Sequence, residues 1–415
     1  MAIPQTIDKL DVATIRKDFP ILERETREGV PLVFLDSAAS SQKPRQVIQA
    51  MSQFYETEYA NVHRGIYKLA EEATAAFESA RERVAEFVGA ASARQIIFTR
   101  NATEAINLVA NSWGRANLRQ GDLVLLTEME HHSNIVPWQM LASHLGFEIK
   151  YAPMTKDLRI DLEEFGALLE LRPKLVGFTQ MSNVLGTINP VAEMTEMAHA
   201  VGAVVLVDGA QSVPHLVVNV AELDIDFMAF SAHKMCGPSG IGALYGRREL
   251  LEEMPPFMGG GEMIKRVRFD SFTVTELPSK FEAGTPPIAQ AVGFGAAVDY
   301  LSALGMPAIR QHEQEMIERA LEQLEEVPGV RVHGPNAQHK GGVAAFTFAD
   351  AHPHDVAQIL DGRGVAVRAG HHCAMPLHEK LGLPATTRAS FYLYNTPEEI
   401  DSLVEGLYAV REVFS

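Results

Sequence analysis

Lys234 occupies a position where a lysine can act as a nucleophile. It ends the stretch 231–234, Ser-Ala-His-Lys, which follows an apolar run and precedes the glycine- and proline-containing residues 237–240. Burial lowers the pKa of an amine, and a neutral lysine can form a Schiff base with a carbonyl compound. The motif therefore favours covalent chemistry, although a surface lysine that opens a loop would have the same sequence.

Asp208 ends another apolar run, residues 203–207. The carboxyl end of a buried parallel strand is where open α/β sheets bind ligands. A carboxylate at that point can pair with a protonated heterocyclic nitrogen and keep it charged, as electron-sink chemistry on pyridoxal phosphate (PLP) requires. The competing interpretation is the N-cap of a helix.

Residues 101–105, Asn-Ala-Thr-Glu-Ala, have the pattern of a phosphate-binding helix start. The free backbone N–H groups of a helix N-terminus, here with the Thr103 hydroxyl, form a cradle for phosphate. Any N-capped helix has similar residue types, so this pattern alone leaves both interpretations open.

Two motifs combine histidine with other reactive side chains. Residues 130–134 read Glu-His-His-Ser-Asn, which suits ring stacking, acid–base work or metal binding. Metal is the poorest choice, because no cysteine or carboxylate stands at the spacing of known zinc motifs. Residues 368–374 read Arg-Ala-Gly-His-His-Cys-Ala. Neighbouring cationic groups lower the pKa of a thiol, so Cys373 is a candidate nucleophile; a buried packing residue and a His/Cys metal cluster are the alternatives.

Arg388 and Cys236 are less distinctive. Arg388 precedes the apolar run 389–394 and has the planar donor fork that binds carboxylates, but most such arginines are surface residues. Cys236 follows Lys234 by two positions, and we expect it to be buried and inert. Two cysteines in 415 residues exclude a disulfide scaffold and fit a reducing cytoplasm.

The motifs stand at the ends of short apolar runs that alternate with amphipathic segments. Such runs are typical of strands buried on both faces, and their alternation with helices predicts an α/β domain with a mostly parallel, seven-stranded sheet flanked by helices. The predicted strands are 95–99, 123–127, 148–152, 175–179, 203–207, 227–231 and 241–245. The predicted helices are 71–88, 102–113, 136–145, 162–169 and 191–201.

The pattern changes near residue 300. Residues 289–304 and 307–327 predict two long helices, followed by strands 330–333, 343–348, 365–368 and 389–394 and by helices 355–363 and 397–413. This favours a large domain over residues 31–300 and a smaller α+β domain over 301–415 that carries Cys373. Residues 259–287 are rich in glycine and proline and predict a long loop, of a kind that is often functional or covers an interface.

Composition excludes several classes of protein. The chain is 47% apolar and 21% charged, which is ordinary for a globular protein, and its formal net charge of −17 disfavours binding to nucleic acid or anionic lipid. No apolar stretch reaches the ~18 residues of a spanning helix, and the first residues lack the pattern of a secretory signal. We therefore expect a cytoplasmic protein.

Taken together and in this order, the motifs resemble one family. Residues 34–39, 61–65, 127–138, 207–211, 231–234, 281–286, 368–373 and 390–396 are similar to those of PLP-dependent fold-type I enzymes of the aminotransferase class V group. More narrowly, the chain resembles the group II, SufS-type cysteine desulfurases, which are related to selenocysteine lyases. The likeness extends over nearly the whole chain and implies that residues 1–30 pack with the small domain.

The resemblance implies a role for each matching residue. Lys234 would bind PLP covalently, Asp208 would pair with the ring nitrogen, Gln211 would contact the ring oxygen, and His131 would stack on the ring. The phosphate would be held by Ala102, Thr103, Ser231 and His233, with Thr285 supplied by the other subunit of a homodimer. The substrate L-cysteine would be held by Asn183, Arg388, Arg368 and His63, and its sulfur would pass to Cys373 as a persulfide.

The resemblance also implies partners. The persulfide would feed iron–sulfur cluster assembly through an acceptor protein of the SufE or SufU type, and His354 is a candidate contact with it. Met375 and Pro287 depart from the residues common in the family, but neither has a proposed chemical role. Alternatives are a selenocysteine lyase, a kynureninase-like hydrolase, an epimerase, or a binding protein that kept the fold without activity.

Overall fold

The computed structural model describes residues 9–26 and 29–414. The strands are β1 (Val33–Phe34), β2 (Ile96–Thr99), β3 (Leu123–Thr127), β4 (Glu148–Ala152), β5 (Leu175–Thr179), β6 (Val204–Asp208), β7 (Phe227–Ser231), β8 (Gly242–Gly246), β9 (Ile264–Val267), β10 (Phe272–Val274), β11 (Val330–His333), β12 (Val343–Phe348), β13 (Val365–Ala366), β14 (Arg368–Gly370) and β15 (Thr386–Ser390).

The α-helices surround these strands. They are α1 (Val12–Arg16), α2 (Arg45–Gln53), α3 (Lys68–Phe87), α4 (Ala102–Val109), α5 (Arg115–Asn117), α6 (Val136–Leu145), α7 (Leu162–Leu169), α8 (Val191–Ala200), α9 (Arg248–Glu253), α10 (Ile288–Leu304), α11 (Met306–Glu326), α12 (Pro353–Asp361), α13 (Met375–Leu381) and α14 (Pro397–Phe414).

A seven-stranded sheet forms the centre of the larger part of the chain. Its strand order is β2-β8-β7-β6-β5-β3-β4, and β8 runs antiparallel to both of its neighbours while the other pairs are parallel. This confirms the predicted α/β class and the seven strands, whose bounds differ from prediction by at most one residue. The shift at β6 makes Asp208 the last residue of that strand.

The central strands are buried along almost their whole length because helices cover both faces of the sheet. Along β3, Leu125 joins the apolar cluster that contains α3 and α10, whereas Val124 and Leu126 join the cluster that contains α4 and α6. Only the edge strand β4 alternates between exposed and covered residues. The sheet is therefore a rigid middle layer whose carboxyl edge remains available for ligands.

A second sheet lies in the C-terminal part of the chain. It is antiparallel, has the order β11-β12-β15-β14, and packs against α11, α12 and α14. The N-terminal residues approach the same part, since Arg16 donates to the backbone oxygen of Tyr394 and pairs with Glu399. Residues 1–8, 27–28 and 415 lie outside the described residues. The domain bounds at 30 and 300 stay predictions.

Three sequence predictions of local structure were wrong. The strand expected at 389–394 is β15, 386–390, because the buried aromatics that follow form a turn in which Tyr392 N–H donates to Asn395. The strand expected at 365–368 is divided between β13, which pairs with β1, and β14. The loop 259–287 contains the antiparallel hairpin β9–β10. This hairpin was not predicted because exposed charged residues interrupt the alternation of apolar and polar residues that is typical of a strand.

Candidate active site

One cavity collects most of the predicted site residues. It has a volume of about 290 Å³ and lies where β5, β6 and β7 end, since Thr179, Asp208 and Ser231 all line it. Twelve predicted residues line this cavity: Ala102, Thr103, His131, Asn183, Asp208, Gln211, Ser231, His233, Lys234, Arg368, Cys373 and Arg388. The carboxyl edge of the sheet and the C-terminal sheet therefore contribute to the same site.

Lys234 is placed in the cavity by β7. The strand continues into a single 3₁₀ turn, Ala232–Lys234, that brings the side chain to the carboxyl edge of the sheet. Burial lowers the pKa of Lys234 to about 8, against the opposing effect of the Asp208 carboxylate. A substantial fraction of this amine is neutral near physiological pH, as a nucleophilic lysine needs to be.

Asp208 is a buried carboxylate at the end of β6. One of its oxygens, Oδ1, accepts a hydrogen bond from the Ala210 N–H at 2.9 Å. Burial raises its pKa, whereas the Ala210 bond and the Lys234 charge favour the ionised form. A buried carboxylate with so little compensation is suited to pair with a cationic group of a ligand.

The start of α4 also lines the cavity, through Asn101, Ala102 and Thr103. Asn101 caps this helix by accepting from Glu104 N–H, and the Ala102 N–H donates to Ser231 Oγ at 2.8 Å. The Thr103 hydroxyl lies 2.6 Å from Ser133 Oγ. Hydroxyl groups and the start of a helix thus line the same cavity, and these are the groups that bind a phosphate group.

His131 presents a neutral ring to the cavity. Burial and the Lys234 charge lower its pKa to about 3, and its Nδ1 accepts from Ser133 N–H at 3.0 Å. A neutral imidazole held through its Nδ1 can stack on a flat ligand without competing for its protons.

Arg388 is a buried guanidinium on β15. Its Nη1 donates to the Asn183 backbone oxygen at 2.8 Å and its Nη2 to Asp36 Oδ1 at 3.2 Å, whereas its buried Nε has no partner in the described residues. Arg368 pairs with the same Asp36 at 2.8 Å. Asp36 was not identified from the sequence, because only the fold brings residue 36 next to 368 and 388.

Cys373 is exposed and lies on the segment between β14 and α13. Both Cys373 and the preceding His372 have left-handed backbone conformations, with φ of 58° and 50°. A left-handed conformation costs about 1–2 kcal/mol for a residue with a side chain, so neighbouring contacts must hold this segment. Cys236, by contrast, is buried and burial raises its pKa to about 12, so its thiol stays protonated.

Three predicted residues lie away from this cavity. Thr285 is exposed and does not line it. His63 is also exposed, and its Nε2 lies 2.9 Å from Glu78 Oε1. His354 is exposed in the first turn of α12.

The residues of the cavity fit PLP by their chemistry. A buried carboxylate, hydroxyl groups, the start of a helix and a lysine with a lowered pKa all line the cavity. In addition, Gln211 donates to the Ala38 backbone oxygen at 2.6 Å but leaves its buried Oε1 unpartnered. This orphaned acceptor is available to a polar substituent of a ligand.

Neither a metal centre nor a spanning helix emerges from residues 9–26 and 29–414. This part of the chain contains no cluster of three or more histidine, cysteine or acidic residues suited to a metal ion. No single helix in the same ranges is long and apolar enough to cross a membrane, although α10 and α11, which are bent by 74°, reach that hydropathy as a pair.

Comparison with known proteins agrees with this geometry. The sequence model of the aminotransferase class-V family matches residues 33–403. A probable cysteine desulfurase of Streptomyces coelicolor is 54% identical over 410 residues, and a cysteine desulfurase of Haloferax volcanii is 49% identical over 418 residues; each alignment covers 98% of both chains.

Solved structures of two cysteine desulfurases are also similar to this chain. The crystal structure of the cysteine desulfurase CsdA from Escherichia coli superposes with a TM-score of 0.91 at 39% identity, covering 98% of this chain and 100% of that one. A cysteine desulfurase from Thermococcus onnurineus has the same TM-score, 0.91, at 38% identity, and covers 100% of this chain and 98% of that one. The chain therefore belongs to the aminotransferase class-V family and, within it, to the cysteine desulfurases.

Proposed function

We propose that the protein converts L-cysteine to L-alanine and retains the sulfur as a persulfide on Cys373. The observation that carries this proposal is that Lys234 and Cys373 line one cavity, although Lys234 follows β7 of the seven-stranded sheet and Cys373 follows β14 of the C-terminal sheet. An amine suited to covalent chemistry and an accessible thiol at one site are the two groups that this reaction needs. The full-length likeness to cysteine desulfurases supports it.

PLP is the cofactor of this site. Lys234 would bind it covalently, Asp208 would pair with the ring nitrogen, Gln211 would contact the ring oxygen and His131 would stack on the ring. The residues that would hold its phosphate are Ala102, Thr103, Ser231 and His233. When bound, it supplies an electron sink that stabilises negative charge at the substrate Cα.

Lys234 moves the proton at the substrate Cα. The pKa of about 8 leaves its amine partly neutral at physiological pH, and the neutral amine can accept the proton as a general base. It is the only lysine among the cavity-lining residues in the described part of the chain.

Arg388 and Asn183 hold the substrate carboxylate. Two guanidinium nitrogens of Arg388 are fixed by protein oxygens, and the buried, unpartnered Nε is the donor left for a ligand. Arg368 and His63 are further candidates for substrate contacts. A fixed arginine fork places the carboxylate, and therefore the thiol of the substrate, in one orientation.

Cys373 accepts the sulfur. Its thiolate attacks the substrate sulfur, an S–S bond forms, and the Cβ–S bond breaks with its electron pair staying on the carbon. Protonation of that carbon completes alanine, so L-cysteine and the Cys373 thiol give L-alanine and the Cys373 persulfide with no external oxidant or reductant.

The persulfide supplies sulfur for iron–sulfur cluster assembly in the cytoplasm. The acceptor is a protein of the SufE or SufU type, for which the exposed His354 is a contact. The protein acts as a homodimer in which Thr285 reaches the PLP phosphate of the other subunit. The exposed position of Thr285, outside the cavity of its own chain, supports this arrangement.

The test is an assay of alanine and sulfide from L-cysteine with a reductant. We expect Lys234→Ala to abolish both products and Cys373→Ala to abolish persulfide formation on the protein. Full activity of Cys373→Ala on L-cysteine would contradict the sulfur-acceptor role. The same variant assayed on L-selenocysteine separates a selenocysteine lyase, whose reaction can proceed without this thiol, from a desulfurase.

A further inference from the structure

The backbone that carries the Cys373 thiol has an uncommon conformation. His372 and Cys373 are consecutive residues with side chains and both have positive φ, 50° and 58°. L-residues seldom adopt the left-handed region, and a pair of them persists only where surrounding contacts hold the chain. The contacts that hold this segment therefore decide where the thiol points.

Three hydrogen bonds join the backbone of residues 372–375 to described parts of the chain outside residues 371–381. The side-chain amide of Asn183 donates to the His372 oxygen at 2.6 Å. The backbone N–H of His132 donates to the backbone oxygen of Cys373 at 2.8 Å. The Met375 N–H donates to Nε2 of His132 at 2.9 Å. His132 thus contacts Cys373 itself and the residue two positions after it, while Asn183 contacts the residue before it.

The ring contact of His132 is chemically specific. Met375 is the first residue of α13, and the N–H of a first helical residue has no partner inside its helix. Nε2 can accept this hydrogen only when the imidazole is neutral with its proton on Nδ1. Burial and the neighbouring His371 lower the pKa of His132, which favours that neutral form.

The position of His132 in the chain connects two parts of the site. His131, the preceding residue, lines the cavity, and the two rings lie 6.2 Å apart between centroids. A single turn at the end of β3 therefore presents one ring to the cavity and the next ring to the Cys373 segment.

We propose that His132 is a positioning residue that holds the Cys373 thiol toward the cavity, by accepting the Met375 N–H through its ring and donating its own N–H to the Cys373 oxygen. The inference rests on the proposed function, in which Cys373 accepts the sulfur. His132 contacts neither the reacting sulfur nor the cofactor in this assignment.

The test compares His132→Gln with His132→Met in the holoenzyme. The two side chains have similar length and volume, but only the amide oxygen of Gln can replace Nε2 as an acceptor. We expect His132→Met to lower kcat for L-cysteine by about 10- to 100-fold, with KM changed by less than about 2-fold, because a thiol misplaced by ~1 Å reacts far more slowly. His132→Gln should restore kcat to within about 3-fold of the native value.

A second measurement reports the contact itself. Hydrogen–deuterium exchange of the peptide containing Met375 should be at least ~10-fold faster in His132→Met, because its N–H loses the acceptor, and near native in His132→Gln. His144→Met, an exposed histidine at the end of α6, is the matched control and should change neither readout.

The outcomes distinguish a failure of the proposed function from a failure of the positioning role of His132. A native protein that forms no alanine from L-cysteine contradicts the proposed function itself. An active native protein whose kcat and amide exchange are the same in His132→Met overturns the positioning role, and so does a loss in His132→Gln as large as that in His132→Met. If the Met variant does not fold, a native kcat and native exchange in the Gln variant support the role, and a 10-fold loss there, with normal visible absorbance of the cofactor, overturns it.

Discussion

Burial sets the charge of the groups around the cavity. It lowers the pKa of His131 to about 3, of His233 to about 4 and of Lys234 to about 8, so both imidazoles are neutral at physiological pH. Burial raises the pKa of Asp208, and the charge of Lys234 opposes that rise. A site with neutral rings and one buried acid favours a flat ligand that carries a single positive nitrogen.

The pKa of Lys234 predicts the pH dependence of cofactor binding. The neutral amine attacks the PLP aldehyde, so the rate at which the apoprotein takes up PLP should rise as pH increases toward about 8 and level off above it. Stopped-flow measurement of visible absorbance from pH 6 to 10 checks this. Asp208→Asn removes the charge that opposes the shift and should move the midpoint lower. A rate that keeps rising to pH 10 would mean that the lysine has its ordinary pKa.

Substitution of Arg388 tests its proposed role in binding the substrate carboxylate. Lysine keeps the charge but not the planar fork, so Arg388→Lys loses the bonds to Asn183 and Asp36 together with the free Nε. We expect kcat/KM for L-cysteine to fall by about 10- to 100-fold, mainly through KM, since a charged hydrogen bond contributes ~1.5–3 kcal/mol. Steady-state kinetics beside the exposed control Arg119→Lys measure it. A native KM would remove Arg388 from carboxylate binding.

Residue types at strand ends were enough to identify Lys234 and Asp208 as chemical candidates from the sequence, because the carboxyl edge of a parallel sheet is a general ligand site. His132 and Asp36 could not be assigned in the same way. Their roles depend on hydrogen bonds to residues more than 200 positions away, such as the Met375 N–H and the Arg388 guanidinium. Nothing in the local sequence encodes those distances.

Elements buried on both sides were predictable, and elements with one exposed face were less so. The strands β3, β5 and β7 were predicted with the bounds that the structure has, because their runs of buried residues are continuous. The hairpin β9–β10 was not predicted from the sequence because its residues are largely exposed. Residues 389–394 were wrongly predicted to form a strand. The buried aromatic residues that follow β15 lie in a turn but have a strand-like composition.

The connection between α3 and the segment before Thr285 depends on one buried ion pair. Arg81 is 1% exposed and its two terminal nitrogens contact Glu282 at 2.5 and 2.9 Å, while Glu282 also accepts from Phe98 N–H at 2.7 Å. The pair fixes a helix, a strand and the segment that leads to Thr285.

Arg81→Leu should therefore destabilise the protein strongly. It leaves the Glu282 carboxylate buried without its cation, and breaking such a pair costs about 3–5 kcal/mol. Arg83→Leu on the same helix removes a more exposed pair with Asp299 and should cost at most about 1 kcal/mol. Urea unfolding of both holoproteins measures the difference. Equal losses in the free energy of unfolding of the two variants would show that the buried pair contributes no more to stability than the exposed pair.

At the scale of the whole molecule, the proposed site is complete only if a second copy contributes. The C-terminal sheet brings Arg388, Arg368 and Cys373 to the cavity, but Thr285 remains exposed outside it. Several large apolar side chains are also exposed within residues 48–69, including Ile66 at 96%. Exposed apolar surface of this kind is typical of an interface between copies.

Mixed dimers test whether Thr285 serves the partner's site. In a dimer of one Lys234→Ala subunit and one Thr285→Ala subunit, the site that keeps Lys234 receives its threonine from the other chain, which is native at 285. We therefore expect one PLP site per mixed dimer with native affinity, although Lys234→Ala homodimers bind no PLP covalently and Thr285→Ala homodimers bind it more weakly. Differently tagged subunits, purified in tandem and titrated with PLP by visible absorbance, give the affinity. If Thr285 acted within its own chain, the mixed dimer would bind no more tightly than the Thr285→Ala homodimer, because its one lysine-containing site would lack the hydroxyl.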